Sequence, residues 1–470
     1  MSSHSAEERG LLRRAVLESI PAEPSQYDEV EPKFVYVPDS HRRALDPDAM
    51  LVEGIRGAGK SFWWFALQQD ALRPRLFGQR SRDGGVLLTS PGFGQTSSEQ
   101  WPDKDELAHL LSAGFKPRLI WKTVVLRHVA KDALPSSGWG ESVSWVVANP
   151  SPVATLLRGA EARLVEAKQR HVVLFDALDR TADRRSDRLQ LLSGLLELVL
   201  ELRALGAVRA KVFVRPDMLE DSEALAFPDA SKVVASRVKL DWRVGDLYSL
   251  LFTYLGNAQD DDAAAFFRQQ SPVTWPTMGG YHTVPTELRT DPERQQQMFE
   301  QLAGLYMGRA PNRGRTYTWV PNHLADAAGQ VSPRSFLATI RRAAELPEVP
   351  GQTAPLHWNG IQDGVRKASE YRVIEIREDL PWVSEAMQKL AELVVPCDEG
   401  TLLKTWQKAK LTPPQAIEEK RAATPDDLKE TLEQLAKVGV LKKLLSDRIN
   451  IPDVYRVGFG MRRHGGFRPS

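Results

Sequence analysis

The chain is almost free of cysteine. Cys397 is its single thiol in 470 residues, so neither an internal disulfide nor a paired-cysteine zinc site can form, and a reducing cytoplasm is the compartment expected. Charge of one sign is not in excess. Lys and Arg number 62 against 61 Asp and Glu, a formal net charge of +1, so no whole-chain field draws the protein to nucleic acid and only a local patch can do so. Long apolar runs are missing too. The richest, 189–208, is broken by Glu197, Glu201 and Arg203; it reads as a core helix, not a membrane span. The first residues, Met1 to Glu8, hold no apolar signal core, and no membrane partner is expected. There is no H-E-x-x-H, no C-x-x-C pair, no G-x-S-x-G and no dinucleotide glycine fingerprint, which removes the zinc-peptidase, serine-hydrolase and NAD-enzyme classes. His109, His128 and His171 stand singly in apolar patterns and read as structural.

Hydrophobic residues make up 42% and charged residues 26%, the balance of a globular protein with a real core. The length suggests two or three domains. Residues 54–61 read Gly-Ile-Arg-Gly-Ala-Gly-Lys-Ser, a full G-x-x-x-x-G-K-[ST] phosphate-binding loop. Met50, Leu51 and Val52 before it read as a strand end. Ser61 to Gln68 after it reads as a buried helix, the context the motif requires. Gly54, Gly57 and Gly59 let the backbone curl so that its N–H groups, with those of Arg56, Ala58 and Phe62, face a phosphate. The helix points its positive end at the same place. Lys60 is expected on the β- and γ-phosphates and Ser61 on Mg²⁺. No N-K-x-D guanine-reading motif is found, so ATP is the expected nucleotide.

A second strand ends in the acid such a site needs. Val172-Val173-Leu174-Phe175-Asp176 is an apolar run closed by a carboxylate, the form of a Walker B element, with Asp176 as the Mg²⁺-orienting acid. Asp179, three residues on, is placed to polarise an attacking water. The alternative is a plain strand whose Asp caps the following helix. A third strand, ending Phe213-Val214-Arg215-Pro216-Asp217, offers Arg215 to a γ-phosphate; otherwise Arg215 is a surface residue before a turn-forming proline.

These three segments together resemble the additional-strand branch of P-loop NTPases, the broad AAA+, STAND and KAP-like group. Phe175-Asp176-Ala177-Leu178-Asp179-Arg180 looks especially like bacterial STAND- and KAP-type ATPases. The resemblance covers roughly residues 46–345. It implies that Gly329-Gln330-Val331-Ser332-Pro333-Arg334 corresponds to the lid segment whose Pro and Arg approach the nucleotide, with Arg334 as the arginine concerned and Arg313 and Arg315 as alternatives. Read locally, Ser332-Pro333-Arg334 is a helix start, Ser as N-cap and Pro at the first position. The residue after Asp176 is Ala177, not Glu. That departs from the AAA+ pattern and points to a slow switch rather than a motor.

The fold class expected is α/β: a P-loop NTPase parallel sheet with helices on both faces, then a helical lid and a C-terminal winged-helix-like domain. Residues 1–45 read as an N-terminal arm with one strand at 34–37, 46–255 as the nucleotide core, 256–345 as the lid, 346–359 as a linker and 360–470 as the winged-helix-like domain with a basic tail. Core strands are expected at 49–53, 122–126, 171–176, 210–214 and 233–240. Residues 79–120, with the Gly/Ser/Pro-rich stretch 89–98, read as an insertion or loop. Helices are expected at 384–394 and 425–437 and a hairpin around Ser446-Asp447. The tail carries Arg456, Arg462, Arg463, His464 and Arg468 with Phe459 and Phe467, a candidate contact for DNA phosphates.

The function expected is ATP binding with slow Mg²⁺-dependent hydrolysis. It would act as a conformational or assembly switch, with a homo-oligomer or an effector protein as partner and a signalling or anti-phage role by analogy. The rivals are a DNA-directed ATPase, a small-molecule kinase and a non-hydrolysing, nucleotide-bound scaffold.

Overall fold

Short apolar runs that alternate with helices form a parallel sheet when each run is buried on both faces. A computed structural model of the chain describes residues 4–22, 30–72, 76, 86–135, 138–219, 224–418, 420–445 and 448–464. In it the runs are β1 (Leu51–Glu53), β2 (Val86–Phe93), β3 (Gln169–Phe175), β4 (Val208–Val214) and β5 (Val238–Lys239). Their order is β2-β3-β4-β1-β5, and every pairing is parallel. β4 lies between the strand that leads into the phosphate loop and the strand that ends at Asp176. That insertion marks the additional-strand P-loop α/β fold, with helices packed around the sheet.

Several expectations are corrected here. Residues 122–126 are not a strand; they lie in the helix Pro117–Val129. Ile120, Trp121, Val124, Val125 and Leu126 are all buried, so the helix shows no amphipathic period and its apolar centre mimics a buried strand. Of 233–240 only Val238 and Lys239 are strand; Val233 and Val234 belong to the helix Ala230–Ala235. The stretch 89–98 is not all loop, because Thr89 to Phe93 are five of the eight residues of β2. β2 is the sheet edge, the place where Pro91 costs no ladder bond. Residues 79–85 of the expected insertion lie outside the described residues. Near the N-terminus the expected strand at 34–37 is absent, and Pro32–Phe34 is a 3₁₀ turn. The N-terminal segment instead carries a helix, Ala6–Leu17, opened by a Ser5–Glu8 capping box.

The chain divides into two compact units, residues 27–32 with 37–241, and residues 1–26 with 33–36 and 242–470. In the first, Lys211 of β4 is fully buried and donates to the carbonyls of Ala44 (2.6 Å) and Asp46 (2.9 Å). It thereby pins the segment that enters β1. In the second unit, Ala6–Leu17 packs on the helices Asp261–Gln269 and Pro333–Glu345. A small hairpin, β6 (Thr277–Met278) and β7 (Tyr281–His282), lies in the same unit. The long helix Trp358–Asp379 serves two cores. Ile361, Val365 and Ala368 join that of Phe252, Phe299 and Phe336; Val373 and Ile376 join that of Met387, Trp406 and Leu432.

The second core belongs to helix Pro381–Gln388, β8 (Cys397–Asp398), helices Glu399–Lys408 and Pro425–Lys437, then β9 (Lys442–Lys443) and β10 (Arg448–Asn450). The three strands pair antiparallel in the order β8-β10-β9. The helix 425–437 and the hairpin stand where the sequence places them, while the helix expected over 384–394 starts earlier and stops at Gln388. The hairpin turn Ser446-Asp447, and Phe467 and Arg468 of the tail, lie outside the described residues. Among the described residues no helix is long and apolar enough to cross a membrane.

Two glycines in the first unit test this packing with opposite signs. A Cβ on Gly92 would stand 2.6 Å from the Phe175 ring and 2.7 Å from Val173, both buried in the sheet, so Gly92→Ala is expected to lower stability by about 1–3 kcal/mol. Gly159 lies inside the helix Pro150–Glu166 with nothing within 4 Å of such a Cβ, so Gly159→Ala is expected to raise it by about 0.5–1 kcal/mol. Urea unfolding midpoints of the two variants check both.

His41 supplies a pH test. Its Nδ1 accepts from Trp63 Nε1 at 3.1 Å, and burial pulls its pKa down to about 3, against the opposing pull of the Asp241 carbonyl. The unfolded chain takes up a proton near pH 6.5 and the folded one does not. The contribution is therefore fully present above pH 6.5 and is lost as pH falls toward 3. At pH 5 the loss is about 2 kcal/mol. His41→Gln should show a smaller fall in stability between pH 7 and 5 by about that amount; equal slopes would overturn the assignment.

Candidate functional site

The loop between β1 and the helix Lys60–Gln68 is shaped by its glycines. Gly57 and Gly59 take φ of +77° and +100°, the left-handed region that a side chain opposes. The helix begins on Gly59 without any side-chain cap, so its first N–H groups face the loop cavity, the arrangement that binds anions. Ala58 N donates to Ile55 O at 3.1 Å and Gly54 N to Val214 O at 3.1 Å; the second bond ties the loop to β4. Arg56 and Phe62 are half-buried on the loop and first helical turn.

Lys60 folds back onto this loop. Its Nζ donates to Gly54 O at 2.8 Å and Ile55 O at 3.1 Å. Burial pulls its pKa down to about 8, opposed by the charge of Asp176 and, less strongly, of Asp179 and Asp217. Ser61 Oγ donates to Asp176 Oδ2 at 2.6 Å. Asp176 is 3% exposed. Burial raises its pKa, while the Ser61 hydrogen bond and the Lys60 charge pull it back. A hydroxyl beside a buried carboxylate is a donor set for a hard divalent cation that takes its remaining ligands from phosphate and water. The residues present fit Mg²⁺.

Ala177, at φ +55°, turns the chain out of β3 and sends Asp179 toward the end of β4. There Asp179 Oδ2 lies 3.6 Å from Arg215 Nη1. Arg215 is also gripped by Asp217, Nε to Oδ1 and Nη2 to Oδ2, both at 3.1 Å. The structure therefore brings together Gly54–Phe62, Asp176, Asp179 and Arg215. Arg334 belongs to the other unit. Ser332 caps its helix, accepting from Ser335 N at 3.5 Å, with Pro333 at the first position. The Arg334 guanidinium pairs with Glu375 at 3.0 Å. Arg315 pairs with Glu300 at 3.0 Å, and Arg313 is exposed.

Two residues of the site were missed in the sequence. Asp217 follows a turn-forming proline and belongs to no motif of its own. Gln95 was hidden inside a presumed loop, yet its Nε2 donates to Ser61 Oγ at 2.8 Å. The signal was Gly92-Phe93-Gly94-Gln95 at the end of a strand whose proline disguised it.

No family model matches the chain, and no curated protein does. Among solved structures it is similar to the Aeropyrum pernix ORC2 protein in its ADPNP–ADP complexes, at 12% identity and a TM-score of 0.41, over 90% of this chain and 94% of that one. It is similar to the Aeropyrum pernix ORC1 protein in complex with DNA, at 13% identity and a TM-score of 0.35, over 94% and 93%. It is also similar to the Walker-type ATPase paby2304 of Pyrococcus abyssi, at 12% identity and a TM-score of 0.39, over 91% and 99%.

Proposed function

We propose that the chain is an ATP-binding, slowly hydrolysing P-loop ATPase whose nucleotide state switches its conformation or assembly. The observation that carries this reading is the Ser61 hydroxyl at 2.6 Å from the buried Asp176 carboxylate, directly after a glycine-shaped loop with an uncapped helix start. Lys60, now on two loop carbonyls, would exchange them for β- and γ-phosphate oxygens. Ser61, with Asp176 behind it, would hold Mg²⁺, whose charge offsets that of the phosphates. Slow turnover is supported by Ala177, which puts no second carboxylate beside Asp176, and by the engagement of Asp179 with Arg215. Arg334 is proposed to act on turnover, and its pairing with Glu375 gives it something to be released from. A homo-oligomer or an effector protein is the partner class this switch needs. A signalling or defence role follows from the STAND and KAP resemblance alone.

Apart from the short helix Pro414–Glu418, the C-terminal order helix–strand–helix–helix–strand–strand supports a winged-helix reading, and with it the second function, a DNA-directed ATPase. Lys442, Lys443 and Arg448 on the exposed hairpin favour that. The third helix does not. Its exposed face carries Asp426, Glu430 and Glu433 against Lys429 and Lys437, and Lys443 is engaged by Glu433 and Glu399. An acidic helix repels the phosphates it would have to pass in a groove, so a protein partner is the better reading for this module.

Lys60→Ala is expected to lower ATP affinity or turnover at least tenfold, on the order of 1.5–3 kcal/mol, since a charge-assisted contact is lost. Asp176→Asn should weaken binding in Mg²⁺ and leave metal-free binding nearly unchanged. Titration with a fluorescent ATP analogue reads both, and wild-type affinity in a folded Lys60→Ala variant would retire the site. The two functions separate on DNA. Duplex DNA at low salt should change wild-type turnover by less than about twofold, whereas a steep, salt-sensitive stimulation would favour the DNA-directed reading.

A further inference from the structure

We infer that Gln95 orients the water that attacks the γ-phosphate, the role the sequence suggests for Asp179. This rests on the ATPase reading above. Gln95 follows β2 directly, and its backbone is held from three sides. Asp176 N donates to Phe93 O at 3.0 Å, which locks the end of β2 to the end of β3. Gly94 lies so close to the Trp64 ring that a Cβ would stand 2.8 Å from it; Trp64 in turn donates from Nε1 to Leu174 O at 3.1 Å. Arg180 Nη1 reaches Gln95 O at 3.4 Å. The side chain above this anchored backbone is exposed, so its amide is not spent on packing. Its Nε2 lies 2.8 Å from Ser61 Oγ.

Ser61 is the proposed metal ligand beside the terminal phosphate, and a group in contact with it has the reach for that phosphate's far side. A carboxamide suits the task. Its oxygen accepts from a water O–H while its nitrogen donates to a phosphate oxygen, and neither needs a change of protonation. The water oxygen forms a bond to the γ-phosphorus and the bond from that phosphorus to the β,γ-bridging oxygen breaks. ADP leaves with the bonding pair, and the water's protons end on inorganic phosphate and solvent. Asp179 is less well placed for this. Its carboxylate faces Arg215 at 3.6 Å and its carbonyl accepts from Arg188 at 3.3 Å. The first feature steadies the end of β4 and the second ties the turn after β3 to the helix Arg185–Leu202.

The test uses the full chain with Gln95→Ala, Gln95→Glu and, as a control in the same segment, Gln100→Ala. Turnover is measured beside the dissociation constant of a non-hydrolysable ATP analogue. Gln95→Ala should lose about ten- to hundredfold in kcat with analogue affinity within about threefold of wild type, and Gln100→Ala should match wild type. Gln95→Glu keeps the acceptor for water and loses the donor to phosphate. It should therefore turn over faster than Gln95→Ala and slower than wild type, with an ionisation limb below about pH 6 that wild type lacks, which a merely structural side chain would not produce. Turnover of Gln95→Ala within threefold of wild type overturns the inference. So does an equal loss of kcat and affinity, which would make Gln95 a support for the metal ligand. A larger kcat loss in Asp179→Asn than in Gln95→Ala returns the role to Asp179. Wild type that binds ATP without turnover sinks the inference and leaves binding standing; wild type that binds no ATP sinks the parent reading itself.

Discussion

The hydrogen bond from Ser61 to Asp176 joins residues 115 positions apart, and the first unit is arranged to make it. A carboxylate buried this deeply is penalised for its charge. It is tolerable because a hydroxyl and an ammonium arrive from the phosphate loop. They arrive there because β4 sits between β1 and β3 and sets their separation. β4 is held in turn by Lys211, whose ammonium caps the carbonyls that lead into β1. Burial pulls Lys211 down to about 7 against the opposing charges of Asp46 and Asp48, and its carbonyl acceptors favour the charged form. The same strand thus fixes the entry to β1 by a buried cation and the start of the phosphate loop by the Gly54–Val214 bond.

What could be read from the sequence was whatever is chemically contiguous. Gly54 to Ser61 carries its function within eight residues. Val172 to Asp176 carries strand and acid in one run, and Arg215 ends another. β3 and β4 are buried on both faces, so their composition alone marks them. What was not legible depended on neighbours far along the chain. The edge strand β2 holds Pro91 and Gly92, with Gly94 directly after it, residues that announce a turn. The two glycines are there because Phe175 and Val173 press against Gly92 and Trp64 and Trp101 against Gly94, and no local pattern contains that information. The helix Pro117–Val129 failed for the converse reason. Packed on all sides, it has no polar face, so its valines look like a strand. Gln95 was lost with β2, since a polar residue gains meaning only once the strand that delivers it is known.

The C-terminal module shows a different limit. Its helix 425–437 and hairpin follow from amphipathic spacing and could be placed from the residues alone. How it joins the rest could not. The helix Trp358–Asp379 crosses a boundary that composition puts near 360, and gives its first half to one core and its second half to the other. Arg334 and Arg372 meet on Glu375 of this helix, and Arg372 also reaches the Tyr455 hydroxyl. Arg334 is therefore wired into the element that carries the C-terminal module. A helix shared by two cores transmits displacement as a rigid rod, because its hydrogen bonds do not yield while side chains repack.

Around Lys60 the charge balance disfavours an anion that arrives without a cation. Lys60 and Arg215 face Asp176, Asp179 and Asp217, all close enough to act on Lys60. With the carboxylates ionised, the cradle is negative by one unit. A polyphosphate approaching it meets N–H groups and an ammonium, but also three acids. Arg215 is no free counter-charge, since Asp217 holds it by two bonds and Asp179 lies beside it. A divalent cation on Ser61, backed by Asp176, reverses the sign of the whole cradle. On the proposed reading, metal and nucleotide therefore enter as one species. Arg215 becomes available to the terminal phosphate only to the degree that the phosphate outcompetes Asp217. On that reading the site would bind first and react later, as a switch would whose rate is set by the rearrangement of a clamped arginine.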